Sequence, residues 1–308
     1  MRVFIELPTW LGDAVMATPA IENFLNELEK PNVTFIGSPV SIELFNDHPL
    51  LNQKIVLTKD FLSMIDIAKN IGEFDYFVSF RSSIRSKLFG RIIRSKHKYY
   101  YSKRSFTKGH QVERYNSFIN RILSKELAPG PLKVYLKDRL KKSPKKTLGI
   151  NPGATYGSAK IWPYERFSEV AIALSKKFDI YLLGGKNEIN IANEIEKLLL
   201  VKGIKNFTNL SGKTSVNQLM QIIENLDIFI TGDSGPMHIA AAFNIPSVCI
   251  FGPTKQNETS QWGNFNSVIV SKKLNCQPCM KRTCPLKHNN CMNLIESKDV
   301  INATRKIA

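Results

Sequence analysis

The segment Ile228-Phe-Ile-Thr-Gly-Asp-Ser-Gly-Pro-Met-His-Ile-Ala-Ala-Ala-Phe243 admits few folds. Asp227 to Thr231 is an apolar, β-branched run that reads as a buried strand, and Gly232 and Gly235 bracket a loop whose backbone can adopt unusual geometry. Ser234 is a natural helix N-cap, Pro236 suits a first helical turn, and His238 falls within that turn. Such a strand–loop–helix turns free amides and the positive end of a helix dipole toward the carboxyl end of a strand. That place favours phosphate. The segment therefore predicts a phosphorylated ligand bound on an open α/β sheet.

The rest of the chain repeats the same alternation. Val3 to Leu7 reads as a buried strand and Pro8 to Asp13 as a turn. A helical pattern from Ala14 follows, with Ile21, Phe24, Leu25 and Leu28 on one face and Pro19 predicting a kink or a delayed start. Val33 to Gly37, Lys54 to Leu57 and Tyr76 to Phe80 read as further strands separated by helices. Arg139-Leu-Lys-Lys-Ser-Pro-Lys-Lys146 is poor in apolar residues and reads as a linker. A second series opens at Thr147 to Ile150. It continues through a helix at 164–177, a strand at Asp179 to Leu183, the Gly184-Gly185 turn, helices around Ile195 and over 215–224, and a strand at Ser247 to Phe251. A short helix from Ser297 closes the chain. The pattern predicts an α/β protein of two doubly wound, Rossmann-like domains, 1–145 and 146–308, facing a central cleft. A length of 308 residues is enough for two cores.

Charge is distributed unevenly. Between Arg81 and Lys146 lie 20 of the 43 Lys/Arg and only 3 of the 26 Asp/Glu, so this stretch holds the whole net charge of +17. A solvated face would scatter its lysines; segregation this complete points to a docking surface for an anionic partner. Nucleic acid, an acidic membrane and a phosphorylated acceptor all meet that description. A nucleic-acid site usually interleaves aromatic platforms with its charge, and Tyr99-Tyr-Tyr101 and Phe106 offer a little of this, which disfavours that class without removing it. No apolar run reaches the length of a membrane span and the first residues lack a signal-peptide profile, so a cytoplasmic location is expected.

Three turns at strand ends of the second series carry chemistry. Asn151-Pro-Gly-Ala-Thr-Tyr-Gly-Ser-Ala-Lys-Ile-Trp-Pro163 is rich in glycine and hydroxyls and holds one cation, Lys160, suited to neutralising a phosphate. In Gly184-Gly-Lys-Asn-Glu188, Glu188 could accept from a ribose diol or could merely favour a helix N-terminus. Thr231 to His238 is the third turn. None matches a Walker loop or a dinucleotide fingerprint, which weighs against an ATPase or a dehydrogenase. In the first series, Asp13 is the acid at the first strand-to-helix turn: a helix N-cap on one reading, a general base on the other. Cys276-x2-Cys279-x4-Cys284-x6-Cys291, with His288 among them, has the density of a zinc or iron–sulfur site, yet its spacing fits no common finger. Disulfides and free thiols are the alternatives, and bound metal is not expected.

Trp10-Leu-Gly-Asp-Ala-Val-Met-Ala-Thr-Pro-Ala20, the Asn151–Pro163 loop and Gly232-Asp-Ser-Gly-Pro-Met-His238 together resemble the heptosyltransferases of lipopolysaccharide core assembly, in glycosyltransferase family 9. The cysteine-rich segment and the Lys160 loop are more similar to the second heptosyltransferase of that pathway than to the first. The resemblance implies a GT-B fold, an acceptor site in the first domain and an ADP-heptose site in the second. It implies Asp13 as catalytic base, with Gly12 beside it, and Lys160, Thr155 and Ser158 as diphosphate and sugar contacts. Glu188 becomes a ribose contact, and Asp233, Ser234, Gly235 and His238 the loop around diphosphate and heptose. Transfer would invert the anomeric centre and require neither metal nor cofactor, because Lys160, loop amides and the helix dipole can stabilise the leaving diphosphate. The basic stretch then acquires the anionic inner-core acceptor at the cytoplasmic face of the inner membrane, rather than nucleic acid. Another GT-B enzyme, such as a nucleotide-sugar epimerase, is the competing class.

Overall fold

The computed structural model describes residues 1–57, 60–153 and 156–307, which form two compact units, Met1–Lys137 and Asp138–Ala308. In the first unit, β1 (Arg2–Glu6), β2 (Asn32–Gly37), β3 (Leu51–Val56), β4 (Glu73–Ser79) and β5 (Arg94–Tyr100) form a parallel sheet in the order β3-β2-β1-β4-β5. In the second, β6 (Thr147–Asn151), β7 (Asp179–Leu182), β8 (Phe207–Asn209), β9 (Ile228–Gly232), β10 (Ser247–Phe251) and β11 (Ser267–Ser271) form a parallel sheet ordered β11-β10-β9-β6-β7-β8. Both sheets reverse their winding once, between β1 and β4 and between β6 and β9. Ligands of doubly wound folds bind at the carboxyl ends of strands at such reversals.

Helices cover the sheets because the central strands are apolar on both faces. Phe4, Phe74, Phe77 and Phe89 pack below the first sheet, with Phe4 and Phe74 stacked at 4.8 Å. On the other face the helix Thr18–Asn26 meets Gln111–Leu123, joined by Asn23 Nδ2 donating to Asn116 Oδ1 at 2.8 Å. Pro19 acts as expected: one helix ends at Met16, and a second begins at Thr18 with Pro19 in its first turn. Strand β5 has no counterpart in the sequence reading. It is a sheet edge, and Arg94, Lys96 and Lys98 disguise it, as charge on an edge strand does while it discourages further pairing.

The second core gathers Trp162, Phe167, Ile180, Ile195, Ile230 and Ile295. Buried Trp162 donates its indole N–H to the Ile295 carbonyl at 2.9 Å and so ties the Lys160 loop to the C-terminal segment. The final helix, Ser297–Ile307, packs on Tyr164–Leu174. The unit boundary falls at Lys137–Asp138, so segment 139–146 belongs to the second unit. Arg139–Glu224 at 3.3 Å and Lys142–Asp227 at 3.2 Å pin it there.

Candidate active site

At the reversal of the second sheet, β6 ends on Asn151 directly beside Thr231 of β9. Asn151 Nδ2 donates to Thr231 Oγ1 and to Ser234 Oγ, both at 3.2 Å, and the two hydroxyls lie 3.1 Å apart. Ser234 holds the N-cap position of the helix Gly235–Ala242, but its side chain makes no capping bond. It turns back to the strand ends instead, so the first amides of the helix carry no side-chain cap. His238 is the fourth residue of this helix, in its first turn as expected, and is buried. The expected special geometry of Gly232 and Gly235 is not used: neither has a positive φ, and Gly232 simply ends the strand, where an added methyl would have room.

The Lys160 and Asp233 loops meet. Lys160 Nζ bonds Asp233 Oδ2 at 2.5 Å and the Asp233 carbonyl at 3.2 Å, while Thr254 Oγ1 donates to Asp233 Oδ2 at 2.7 Å. Lys160 and Asp233 are 11% and 8% exposed, so the ammonium is held at the rim of a largely dehydrated pair. Tyr156 completes the support, its ring lying 4.7 Å from Lys160 Nζ and 5.4 Å from the Arg282 guanidinium. The cysteine-rich segment fixes both Tyr156 and Gly157. Tyr156 OH donates to the Met280 carbonyl at 3.0 Å, Ala159 N donates to Arg282 O at 3.0 Å, and a side chain at 157 would overlap Arg282.

The cysteine-rich segment is thus the floor of the Lys160 loop. Cys276, Cys279, Cys284 and Cys291 line one small cavity with Ala159 and His288. All five cysteines are free thiols, Cys249 lying in the core of β10. Burial, and then the neighbouring Cys279, Cys276 and Cys284, push the Cys291 thiol up to about 11. Among the described residues no three His, Cys, Asp or Glu side chains are grouped to hold a metal ion.

Glu188 comes from the turn after β7. Its Oε2 accepts from Gly185 N at 2.8 Å, closing a one-turn cap, so the helix-start reading is realised in the structure. Its side chain also crosses so close to Gly153 that a Cβ there would overlap Glu188 Cγ. Gly153→Ala should cost about 1–3 kcal/mol by overpacking and displace Glu188. Gly232→Ala should stay within about 1 kcal/mol. Thermal melts on the two variants check this, and equal behaviour would contradict it. Ser158 opens an exposed turn ahead of Lys160, and Thr155 lies outside the described residues.

The candidate base is in the first unit. The helix Leu11–Met16 begins at Trp10, so Gly12 and Asp13 are its second and third residues and Asp13 is not the N-cap. Trp10 is half exposed. Burial raises the Tyr115 and Tyr101 phenols, and the Asp13 carboxylate raises both further, placing it beside the buried aromatic cluster at the carboxyl end of β1. Sequence reasoning missed Asn151, Thr254, Tyr156 and Gly153. Only Gly153 and Asn151 carried a signal, as a glycine and an amide at a strand end.

The family model for glycosyltransferase family 9 (heptosyltransferase) matches residues 79–290. A lipooligosaccharide heptosyltransferase 2 of Campylobacter jejuni serotype O:6 is 40% identical, covering 100% of this chain and 99% of its own. The chain belongs to glycosyltransferase family 9. This heptosyltransferase also shares its fold with solved members of that group. The E. coli ADP-heptose lipopolysaccharide heptosyltransferase II superposes with a TM-score of 0.79 at 18% identity, covering 100% of this chain and 98% of that one. The E. coli heptosyltransferase WaaC solved with ADP gives 0.77 at 15% identity over the full length of both. The fold is therefore GT-B, as the resemblance implied, with the two doubly wound units that the strand series predicted.

Proposed function

We propose that this family 9 enzyme transfers heptose from ADP-heptose to the first heptose of a lipooligosaccharide or lipopolysaccharide inner core, with inversion and without a metal ion. The observation that carries the donor half is the Lys160–Asp233 pair set beside the helix start at Gly235. An ammonium has three donors; Asp233 takes two of them and aims the group. The third, with the first helical amides, suits a diphosphate. The acceptor half rests on Asp13, the basic stretch of the first unit and the full-length relationship to a heptosyltransferase 2.

In the reaction an acceptor hydroxyl attacks the anomeric carbon of the donor. The new C–O bond forms as the bond to the diphosphate breaks, and ADP leaves with the electron pair. Asp13 accepts the hydroxyl proton as attack proceeds. The helix dipole weakens it as a base in the ground state, which matters less when the proton leaves late. Negative charge grows on the leaving diphosphate, where Lys160 and the amides stabilise it. Their fixed positive charge replaces a divalent cation. Thr155, Ser158, Glu188, Asp233, Ser234, Gly235 and His238 are proposed donor contacts, and Gly12 shapes the turn of the base. Among the described residues no helix is long and apolar enough to cross a membrane. The basic stretch suits peripheral contact with a lipid-anchored, anionic acceptor at the cytoplasmic face of the inner membrane.

The test is incubation with ADP-heptose and core oligosaccharides truncated one sugar at a time, in excess EDTA. Transfer is expected only to the acceptor that already bears one heptose, at an undiminished rate. Transfer to the heptose-free acceptor would make this a first heptosyltransferase, and loss of activity in EDTA would remove the metal-free mechanism.

A further inference from the structure

The first sheet has its own reversal, between β1 and β4, and the strands end there on Glu6 and Ser79, directly paired. Glu6 is 1% exposed. A carboxylate so deep is costly unless it is bonded and matched by charge. It is both. Ser79 Oγ donates to Oε2 at 2.6 Å, Ser86 Oγ donates to Oε1 at 2.9 Å, and Arg81 Nη1 lies 3.5 Å from Oε1. Burial still pushes the Glu6 carboxyl up, against the pull of Ser79, Arg81 and Ser86.

Arg81 differs from its anchor in one respect: its side chain is 23% exposed, so the guanidinium runs from a buried carboxylate to the surface. Its backbone is fixed as well, Arg81 N donating to Ser79 Oγ at 3.2 Å. Arg85, the second cation near Glu6, is turned toward Met64 Sδ and the Asp60 carbonyl. Tyr101 links the position to the candidate base. Tyr101, whose phenol feels Asp13, donates its backbone N–H to Ser79 O at 2.8 Å.

A strut serving stability alone is replaceable by apolar side chains. A buried carboxylate that holds a partly exposed guanidinium at the ligand end of a sheet does something else: it removes the freedom of a planar, five-donor fork before the ligand arrives. We infer that Arg81, fixed by Glu6, is the subsite that reads an oxyanion of the acceptor, a phosphate or a carboxylate on the core sugar. This rests on the transfer reaction proposed above and identifies the acceptor group that the first unit recognises. Arg81 is a binding residue and Glu6 its positioning residue.

Steady-state kinetics with three acceptors decide the matter: the native anionic oligosaccharide, its dephosphorylated form and its carboxyl-reduced form. Arg81→Gln should raise KM for the native acceptor about 10- to 100-fold, as loss of a charge-assisted bond does, with kcat and donor KM nearly unchanged. The penalty should vanish on whichever modified acceptor lacks the oxyanion, which names its source. Arg81→Lys keeps the charge and should recover part of the affinity; it carries the test if Arg81→Gln does not fold. Glu6→Gln should show the same KM-only effect, smaller. A penalty equal on all three acceptors, or one falling on kcat or donor KM, would overturn the subsite. A wild-type enzyme that transfers heptose to none of them would overturn the proposed function instead.

Discussion

Asp13→Asn should lower heptose transfer by about 10²- to 10⁴-fold, the usual worth of a general base, while ADP-heptose affinity stays within about twofold. The structure makes this separation sharp. Asp13 is the third residue of the helix Leu11–Met16, whose N-cap position is filled by Trp10, and its carbonyl accepts from Ala17 N. An amide side chain keeps the size and polarity of the first turn and leaves that backbone bond untouched, so the change falls on the carboxylate charge and, in the proposed mechanism, on its capacity to take a proton. Asp13→Ala should behave alike. The measurement is a paired one, turnover with the one-heptose acceptor and calorimetric titration of ADP. A variant that lost nucleotide binding together with turnover would mark Asp13 as a structural element of its turn.

Lys160→Ala should have the second large effect and a different signature. It removes a cation from a pair in which Asp233 is 8% exposed. The stranded carboxylate keeps Thr254 but loses its counter-charge, at a cost of about 3–5 kcal/mol in stability. Donor affinity and kcat should fall together, by about 10²-fold or more for kcat, the scale on which lost transition-state donors act. The double variant Lys160→Ala/Asp233→Asn separates the two roles. Removing the stranded charge should return most of the melting temperature and none of the turnover. If turnover returned with stability, Lys160 would be a strut between loops and not a diphosphate ligand.

These two positions show why parts of the site were legible in advance. Asp13 and Lys160 stand alone: one acid at the first strand-to-helix turn, one cation in a glycine- and hydroxyl-rich loop. An isolated charge at a strand end announces itself. Asn151, Thr254 and Tyr156 do not, because their roles come from partners 80, 21 and 124 residues away. The cysteine-rich segment matters to the site through its backbone. Its spacing drew attention to the thiols, whereas the contacts that matter to the site are the carbonyls of Met280 and Arg282 against the Lys160 loop. Backbone groups have no sequence signature.

The glycines divide along the same line. Gly232 invited a conformational argument and needed none, whereas Gly153 and Gly157 are small because Glu188 and Arg282 pass close by. A glycine in a sequence says that a side chain is missing. Whether torsion or a neighbour forbids it depends on what the fold brings near.

Strand-and-helix periodicity by itself determined the doubly wound architecture of each unit, since apolar runs of strand length alternating with amphipathic helices leave a parallel sheet as the economical way to bury both. The Gly232–His238 motif likewise announced that β9 runs into a helix start; that β6 ends beside it is a fact of the fold alone. Tertiary structure alone decided that Lys160 is latched to Asp233 and that Ser234 bonds its own strand end instead of capping its helix. It also decided that buried Glu6 reaches Ser79, Arg81 and Ser86 from a different strand. Periodicity is a property of neighbours along the chain. A desolvated charge chooses its partner by distance in space, through a dielectric that only the folded protein creates.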